Sequence, residues 1–230
     1  MRQAIGSRWT FWTDRIRRVV LAVSRRNRSD SFKLLLRLGH FLVPEYRFKH
    51  PEMAWWNDED FAAYLRRFCS SDHCLTADSR WMVQQLVRLV ADVPGDTAEC
   101  GAYNGGGSFL IARMSAAGGH ERVHYAIDSF EGLSEPDPAD GSYWTQGDLS
   151  VTESVLRENL SEFGDAIVVR KGWIPEVFDS VPRVPFAFVY VDVDLYQPTM
   201  DAMEFFYPLL SPGGVLLCDD YGSTNCPGVT

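Results

Sequence analysis

From residue 97 to residue 218 the chain alternates short apolar, β-branched runs with longer segments of helical periodicity, and this alternation is its strongest constraint. The strand-like runs are Thr97–Tyr103, Val123–Ile127, Ala166–Arg170, Phe186–Val193 and Gly214–Cys218. The helix-like segments between them are Gly106–Ala117, Ser150–Phe163 and Pro198–Tyr207. Strands that alternate with helices build βαβ units, so an α/β fold is predicted, with a parallel, doubly wound, Rossmann-like sheet. Sheets of this kind bind ligands beyond the carboxyl ends of their strands, and that is where the informative residues should lie. The Pro-, Asp- and Gly-rich stretch Ser134–Tyr143 reads as a lid or substrate loop.

The part before residue 93 has another character. Asp58–Phe68 and Thr76–Val90 read as helices, and Val93-Pro94-Gly95-Asp96 breaks the chain before the first strand. Residues 1–50 carry 12 Lys and Arg against 3 Asp and Glu, a balance of +9, whereas the remaining residues carry 10 against 28, a balance of −18. Three regions follow: a basic extension over 1–50, a helical cap over 51–92 and the α/β core over 93–230. In the basic region Ile16, Val19, Val20 and Val23 fall at helical spacing among arginines and tryptophans. A peripheral contact with an anionic membrane is one reading, and a helix packed on the domain or a solvated leader is the other. The net charge of −9 argues against nucleic acid as the main partner. Val19–Val23 is too short for a signal sequence, and no run reaches the ~20 apolar residues of a membrane span. Five cysteines without a CxxC pair fit neither a disulfide framework nor a zinc site, and a reducing cytoplasm is expected. The five histidines form no metal or triad pattern and read as surface or satisfied core residues.

Four groups of residues stand at predicted strand ends. Glu99-Cys-Gly-Ala-Tyr-Asn-Gly-Gly-Gly-Ser108 joins the first strand to the first helix, where glycines admit a ligand to the backbone and the helix terminus offers free N–H groups. The spacing is neither G-x-G-x-x-G nor a P-loop, and an acid at the strand end suits a cationic amino-acid ligand better than a pyrophosphate. Asp128, ending the second strand, can accept hydrogen bonds from ribose hydroxyls, or it can simply close an Asx turn. Asp192 and Asp194 end the long buried strand, and Asp219-Asp220 end the next. Two acid pairs on neighbouring strands need compensation, and oxygen donors without a Cys/His pattern suit Mg2+ or Mn2+.

With these stretches together, the chain resembles the macrocin O-methyltransferase (TylF/MycF) family of class I S-adenosylmethionine-dependent enzymes. The matching runs are Val93-Pro-Gly-Asp-Thr-Ala-Glu-Cys-Gly, Ile127-Asp-Ser-Phe-Glu-Gly-Leu, Val155-Leu-Arg-Glu-Asn, Lys171-Gly-Trp, Asp192-Val-Asp-Leu-Tyr, and Leu210-Ser-Pro-Gly-Gly with Asp219-Asp-Tyr. They occur in family order over about residues 76–228. The resemblance implies methyl transfer from S-adenosylmethionine to a hydroxyl, with a sugar on a natural product or glycan as the expected acceptor and a homo-oligomer as a possible assembly. It implies that Glu99 and Gly101 line the methionine end of the cofactor, that Asp128 holds the ribose and Gly172 and Trp173 lie near the adenine, and that Tyr103, Gly106, Ser108, Ser129 and Phe130 also belong to the cofactor site. It assigns Asp192, Asp219 and Asp220 to the metal and Asp194 to the general base. Two departures stand out. Tyr103-Asn104-Gly105-Gly106 replaces the family's usual Trp-Arg-Gly-Gly, and the chain stops where the family continues into a helix and the final strands of the sheet. A fragment or shortened form, lacking C-terminal strands, is therefore expected.

Two other functions compete. Asp192-Val-Asp194 is also a D-x-D triplet of the sort a metal-dependent glycosyltransferase uses, although that leaves Glu99–Ser108 and Asp219-Asp220 unexplained. A non-catalytic binding protein on the same fold is the third reading.

Overall fold

The computed structural model describes residues 28–42, 58–69, 77–119 and 121–230. The arginine- and tryptophan-rich stretch proposed for membrane contact, Cys74, His50, His73, His120 and the Thr76 cap lie outside the described residues. Two compact units divide at Tyr64 and Leu65. The first contains helix α1 (Arg28–Leu42) and the start of α2 (Glu59–Phe68). Asp58 caps α2 by accepting the Phe61 N–H at 2.8 Å, and Glu59 and Asp60 add negative charge to the first turn, where the helix dipole favours it. Among the described residues no helix is long and apolar enough to cross a membrane.

The second unit carries the predicted sheet. Its elements are α3 (Ala77–Leu89), β1 (Asp96–Cys100), α4 (Gly106–Ala117), β2 (His124–Asp128), α5 (Glu153–Asn159), β3 (Ile167–Lys171), β4 (Phe186–Val191), α6 (Tyr196–Phe206) and β5 (Leu210–Cys218). All strand pairs are parallel, in the order β3-β2-β1-β4-β5. The chain winds outward from β1 to β3, then returns to the other side of β1. The strand order therefore reverses between β1 and β4, the place where doubly wound sheets open a ligand crevice.

Burial explains why the pattern was readable. β4, Phe-Ala-Phe-Val-Tyr-Val, is buried at all six positions, as a central parallel strand covered on both faces must be. On one face Phe178, Phe186 and Phe206 pack with Val189 and Val191, and Phe186 and Phe206 meet edge to face at 5.1 Å. On the other, Val83 and Val87 of α3 and Ile111 of α4 pack on Phe188 and Tyr190. Each such side chain contributes about 1.5–3 kcal/mol of burial.

Several boundaries differ from those read in the sequence. β1 stops at Cys100 because Gly101 turns the chain at φ +84°. The predicted helix over 150–163 is shorter, covering Glu153–Asn159, and is followed by 3-10 turns over Ser161–Ala166 with a break at Gly164 (φ 52°, ψ −129°). β4 ends at Val191, and β5 begins four residues early at Leu210 with a register shift against Phe186/Phe188.

Candidate functional site

Register brings the four motifs to one edge. Cys100 pairs with Ile127 on one side and Val191 on the other, and Val191 pairs with Cys218. The next residues along these strands are Gly101, Asp128, Asp192 and Asp219, so a single row across the sheet edge holds all of them. Beside this row lies a cleft that Gly101, Tyr103, Asp128, Trp173, Asp192 and Asp194 help to line. Ser129 and Gly172 line it as well.

The glycine turn is tightly fitted. A Cβ on Gly101 would sit 1.7 Å from the Asp192 carbonyl oxygen, and only glycine tolerates both that approach and the positive φ. Asn104, at the departure from the family pattern, accepts the Gly106 N–H through its side chain at 3.0 Å, and its carbonyl accepts from Asn159 at 2.8 Å. The altered turn is thus held by its own hydrogen bonds at the start of α4. Asp128 ties this turn to the end of β2: one oxygen accepts the Tyr103 N–H at 2.7 Å and the other the Phe130 N–H at 2.6 Å. Burial raises the Asp128 pKa, against the pull of those two N–H groups. Phe130 is buried, and Ser129 closes the following turn onto the Gly132 carbonyl at 3.0 Å.

Glu99 lies beneath the turn and is 1% exposed. Its carboxylate accepts the Ser108 hydroxyl hydrogen bond, Ser108 meets the His124 ring at 2.9 Å, and the other ring nitrogen meets Thr97 at 2.9 Å. Burial pushes Glu99 up to about 7, opposed first by Arg80, and pushes His124 down to about 3. His124 is therefore a neutral, satisfied core residue in a fully buried chain of polar groups. Glu99, Gly106 and Ser108 support the turn from below and do not line the cleft.

The aspartates splay as they leave the strands. Asp194 takes a left-handed conformation at φ 61°, rare for a residue with a side chain, and its N–H donates to Asp220 at 3.0 Å. Asp192, Asp219 and Asp220 each present an oxygen within 4.8 Å of the others. Burial, then Asp219, hold Asp192 well above the usual carboxylate range, and burial with the Asp220 charge pushes Asp194 up to about 7. Burial also raises the Asp220 pKa, and carboxylates that converge this closely in a buried site lack enough positive charge of their own. Their donor set fits a hard divalent cation.

Residues 68–229 match the profile of the family described as Macrocin-O-methyltransferase (TylF). The chain belongs to this family. Over 149 residues it is 34% identical to the 8-demethyl-8-(2,3-dimethoxy-alpha-L-rhamnosyl)-tetracenomycin-C 4'-O-methyltransferase of Streptomyces olivaceus, covering 60% of this chain and 57% of that protein. Over 176 residues it is 31% identical to the mycinamicin III 3''-O-methyltransferase of Micromonospora griseorubida, covering 70% of this chain and 65% of that protein. The matches span less than two thirds of the length of these relatives. Among solved structures, CalS11, a calicheamicin methyltransferase, superposes with a TM-score of 0.60 at 21% identity, over 77% of this chain and 83% of that one, and shares the fold.

This member of the macrocin-O-methyltransferase family has site residues that its motifs did not announce. Arg80 of α3 reaches Asp192 at 3.8 Å, and the Tyr190 hydroxyl donates to Asp219 at 2.7 Å. Cys226 is buried, and its thiol lies 3.6 Å from an Asp194 oxygen and 3.5 Å from an Asp220 oxygen while accepting from the Trp144 indole at 3.4 Å. Asp140, in the loop singled out as a lid, is buried and accepts the Tyr196 N–H at 2.7 Å. Helical spacing marks Arg80 only as a charge on an amphipathic helix, and Cys226 stands alone in sequence. No local signal could have placed either one at the aspartates.

Proposed function

We propose that this chain is an S-adenosylmethionine-dependent O-methyltransferase assisted by Mg2+ or Mn2+, and that its acceptor is a sugar hydroxyl on a natural product or glycan. The supporting observation is the row of acids at the sheet edge. Asp128 lines the cleft beside the glycine turn, Asp192 and Asp194 line it as well, and Asp219 and Asp220 converge on Asp192. The acceptor class follows from the Streptomyces olivaceus relative, an O-methyltransferase whose name places a rhamnosyl group on its substrate.

Each group then has a task. The turn around Gly101 and Tyr103 would hold the amino-acid end of the cofactor, Asp128 the ribose, and Trp173 with Gly172 the adenine. Bound S-adenosylmethionine supplies an electrophilic methyl. A divalent cation on Asp192, Asp219 and Asp220 would act as a Lewis acid toward the acceptor oxygen. Asp194 accepts the proton of the acceptor hydroxyl, and its affinity for protons near neutrality suits a general base. Its N–H bond to Asp220 fixes the base relative to the metal carboxylates. The rest would be positioning: the cleft would bring the acceptor hydroxyl to the cofactor, and alignment of this kind alone contributes several kcal/mol.

The test is calorimetric titration of the full chain with S-adenosylhomocysteine, with and without Mg2+, followed by methyl transfer to a panel of glycosides. Micromolar binding and turnover are expected, and Asp194→Ala should bind but lose at least ~100-fold in rate, the usual scale of a general base. Full turnover by Asp194→Ala removes the base assignment. Absence of S-adenosylhomocysteine binding by folded protein removes the methyltransferase reading.

A further inference from the structure

We infer that Arg80 and Tyr190 are positioning residues for the aspartate cluster: Tyr190 orients Asp219, and Arg80 orients Asp192 while tying it to the carboxylate beneath the glycine turn. The inference rests on the reading of Asp192, Asp219 and Asp220 as metal ligands.

Tyr190 lies on β4 two residues before Asp192, and its side chain is fully buried between α3 and the sheet. A buried phenol must place its hydroxyl, and this one crosses to the end of β5 and donates to Asp219 at 2.7 Å. The bond claims one Asp219 oxygen and fixes the plane of the carboxylate, leaving the second oxygen to face a ligand. A phenylalanine would fill the same space with no hydroxyl to place, so packing alone gives no reason for tyrosine here.

Arg80 comes from a different layer. Its guanidinium lies over the Tyr190 ring at 5.8 Å and pairs with Asp192 at 3.8 Å, with both side chains mostly buried at 13% and 14% exposure. It also reaches the floor of the glycine turn. A Cβ on Gly107 would lie 1.9 Å from a Glu99 oxygen and 2.9 Å from Arg80 Nη1, so both groups crowd the same point at the start of α4. The rigid fork thus stands between Glu99, which holds the turn through Ser108 and whose ionised form the Arg80 charge favours, and Asp192, which heads the metal cluster. Donors that orient ligating carboxylates typically carry 10–100-fold of metal affinity.

The experiment is Mn2+ titration of the full chain, read by calorimetry and by loss of the free-ion paramagnetic resonance signal, with S-adenosylhomocysteine affinity measured separately in EDTA. Tyr190→Phe should lower Mn2+ affinity about tenfold or more and leave S-adenosylhomocysteine affinity within about twofold, a split that a general packing defect would not give. Arg80→Met should weaken both ligands, and Arg80→Lys should recover S-adenosylhomocysteine binding more fully than Mn2+ binding, because a point charge replaces the fork. If the unsubstituted chain takes up no Mn2+, the metal reading falls and this inference with it. If it binds Mn2+ and Tyr190→Phe and Arg80→Lys bind it equally well, the metal reading stands and this inference is overturned.

Discussion

Replacing Gly101 by alanine tests whether the turn between β1 and α4 is as tightly built as its geometry implies. Two costs add. An L-residue at φ +84° is strained by roughly 1–2 kcal/mol. The new Cβ would also lie 1.7 Å from the Asp192 carbonyl oxygen, about half an ordinary contact distance, and that oxygen is backbone. It cannot swing aside, because the Asp192 N–H is bound to the Cys100 carbonyl at 3.0 Å and the next strand is bound through Asp219 N–H to Val191 at 2.9 Å. Relief requires β1 and β4 to part at their ends, at a cost of about 1–3 kcal/mol in overpacking and a further ~1 kcal/mol per ladder bond lost. With one ladder bond lost the expected total is about 3–6 kcal/mol, a large part of a domain's usual ~5–15 kcal/mol. Gly119→Ala is the control: its φ is +76°, but nothing lies within 4 Å of the added carbon, so it pays only the backbone strain. Urea unfolding followed by tryptophan fluorescence reads both variants. Gly101→Ala should unfold at least ~0.7 M earlier than Gly119→Ala, given an extra cost of about 2–4 kcal/mol and slopes of ~1–3 kcal/mol per M. Equal midpoints for the two variants would refute the reasoning, since the clash would then cost nothing beyond the strain.

Stability should also fall with rising pH between 6.5 and 8 when divalent ions are chelated. Glu99 and Asp194, each pushed up to about 7, keep protons that the unfolded chain has released, so deprotonation in this window costs the folded state roughly 1–2 kcal/mol for the pair. The window begins at 6.5 because His124, down at about 3 when folded, adds stability with rising pH only below the unfolded histidine value. Melting temperatures in EDTA should drop across the window, and Mn2+ should remove much of the drop; a rise in EDTA would contradict the assignment. Asp140→Ala deletes the acceptor for the Asp137 and Tyr196 N–H groups, at 2.9 and 2.7 Å, and should raise proteolysis or hydrogen exchange within 134–149 before the sheet responds. Unchanged protection there would mean that the loop is held by other contacts.

The sheet was legible because its strands carry the signal themselves. A central strand buried on both faces must be apolar throughout, so Phe186–Val191 could be read as one with no knowledge of its neighbours. The four acidic groups were legible for a related reason: in parallel strands every carboxyl end lies at one edge, so acids that end neighbouring strands must meet. What the strand pattern could not give was the division of labour within the edge. Asp192 and Asp194, two apart, would share a face on a continuous strand, yet β4 ends at Val191 and Asp194 turns left-handed, so Asp192 faces Asp219 and Arg80 while Asp194 faces Cys226. Nor could the pattern show that Glu99 is buried behind the residues that line the cleft. Gly107 leaves room beneath the turn for its carboxylate, which then engages Ser108, and the Ser108–His124–Thr97 chain behind it extends the polar floor into the core. Thr97, His124 and Ser108 are distant in sequence and ordinary as residues. They meet only because β1 and β2 pair in register at Thr97 and His124 and α4 crosses over them. Residues that touch a ligand through backbone or strand ends leave a local trace in sequence. Those that hold such residues in place come from separate elements, and only packing identifies them.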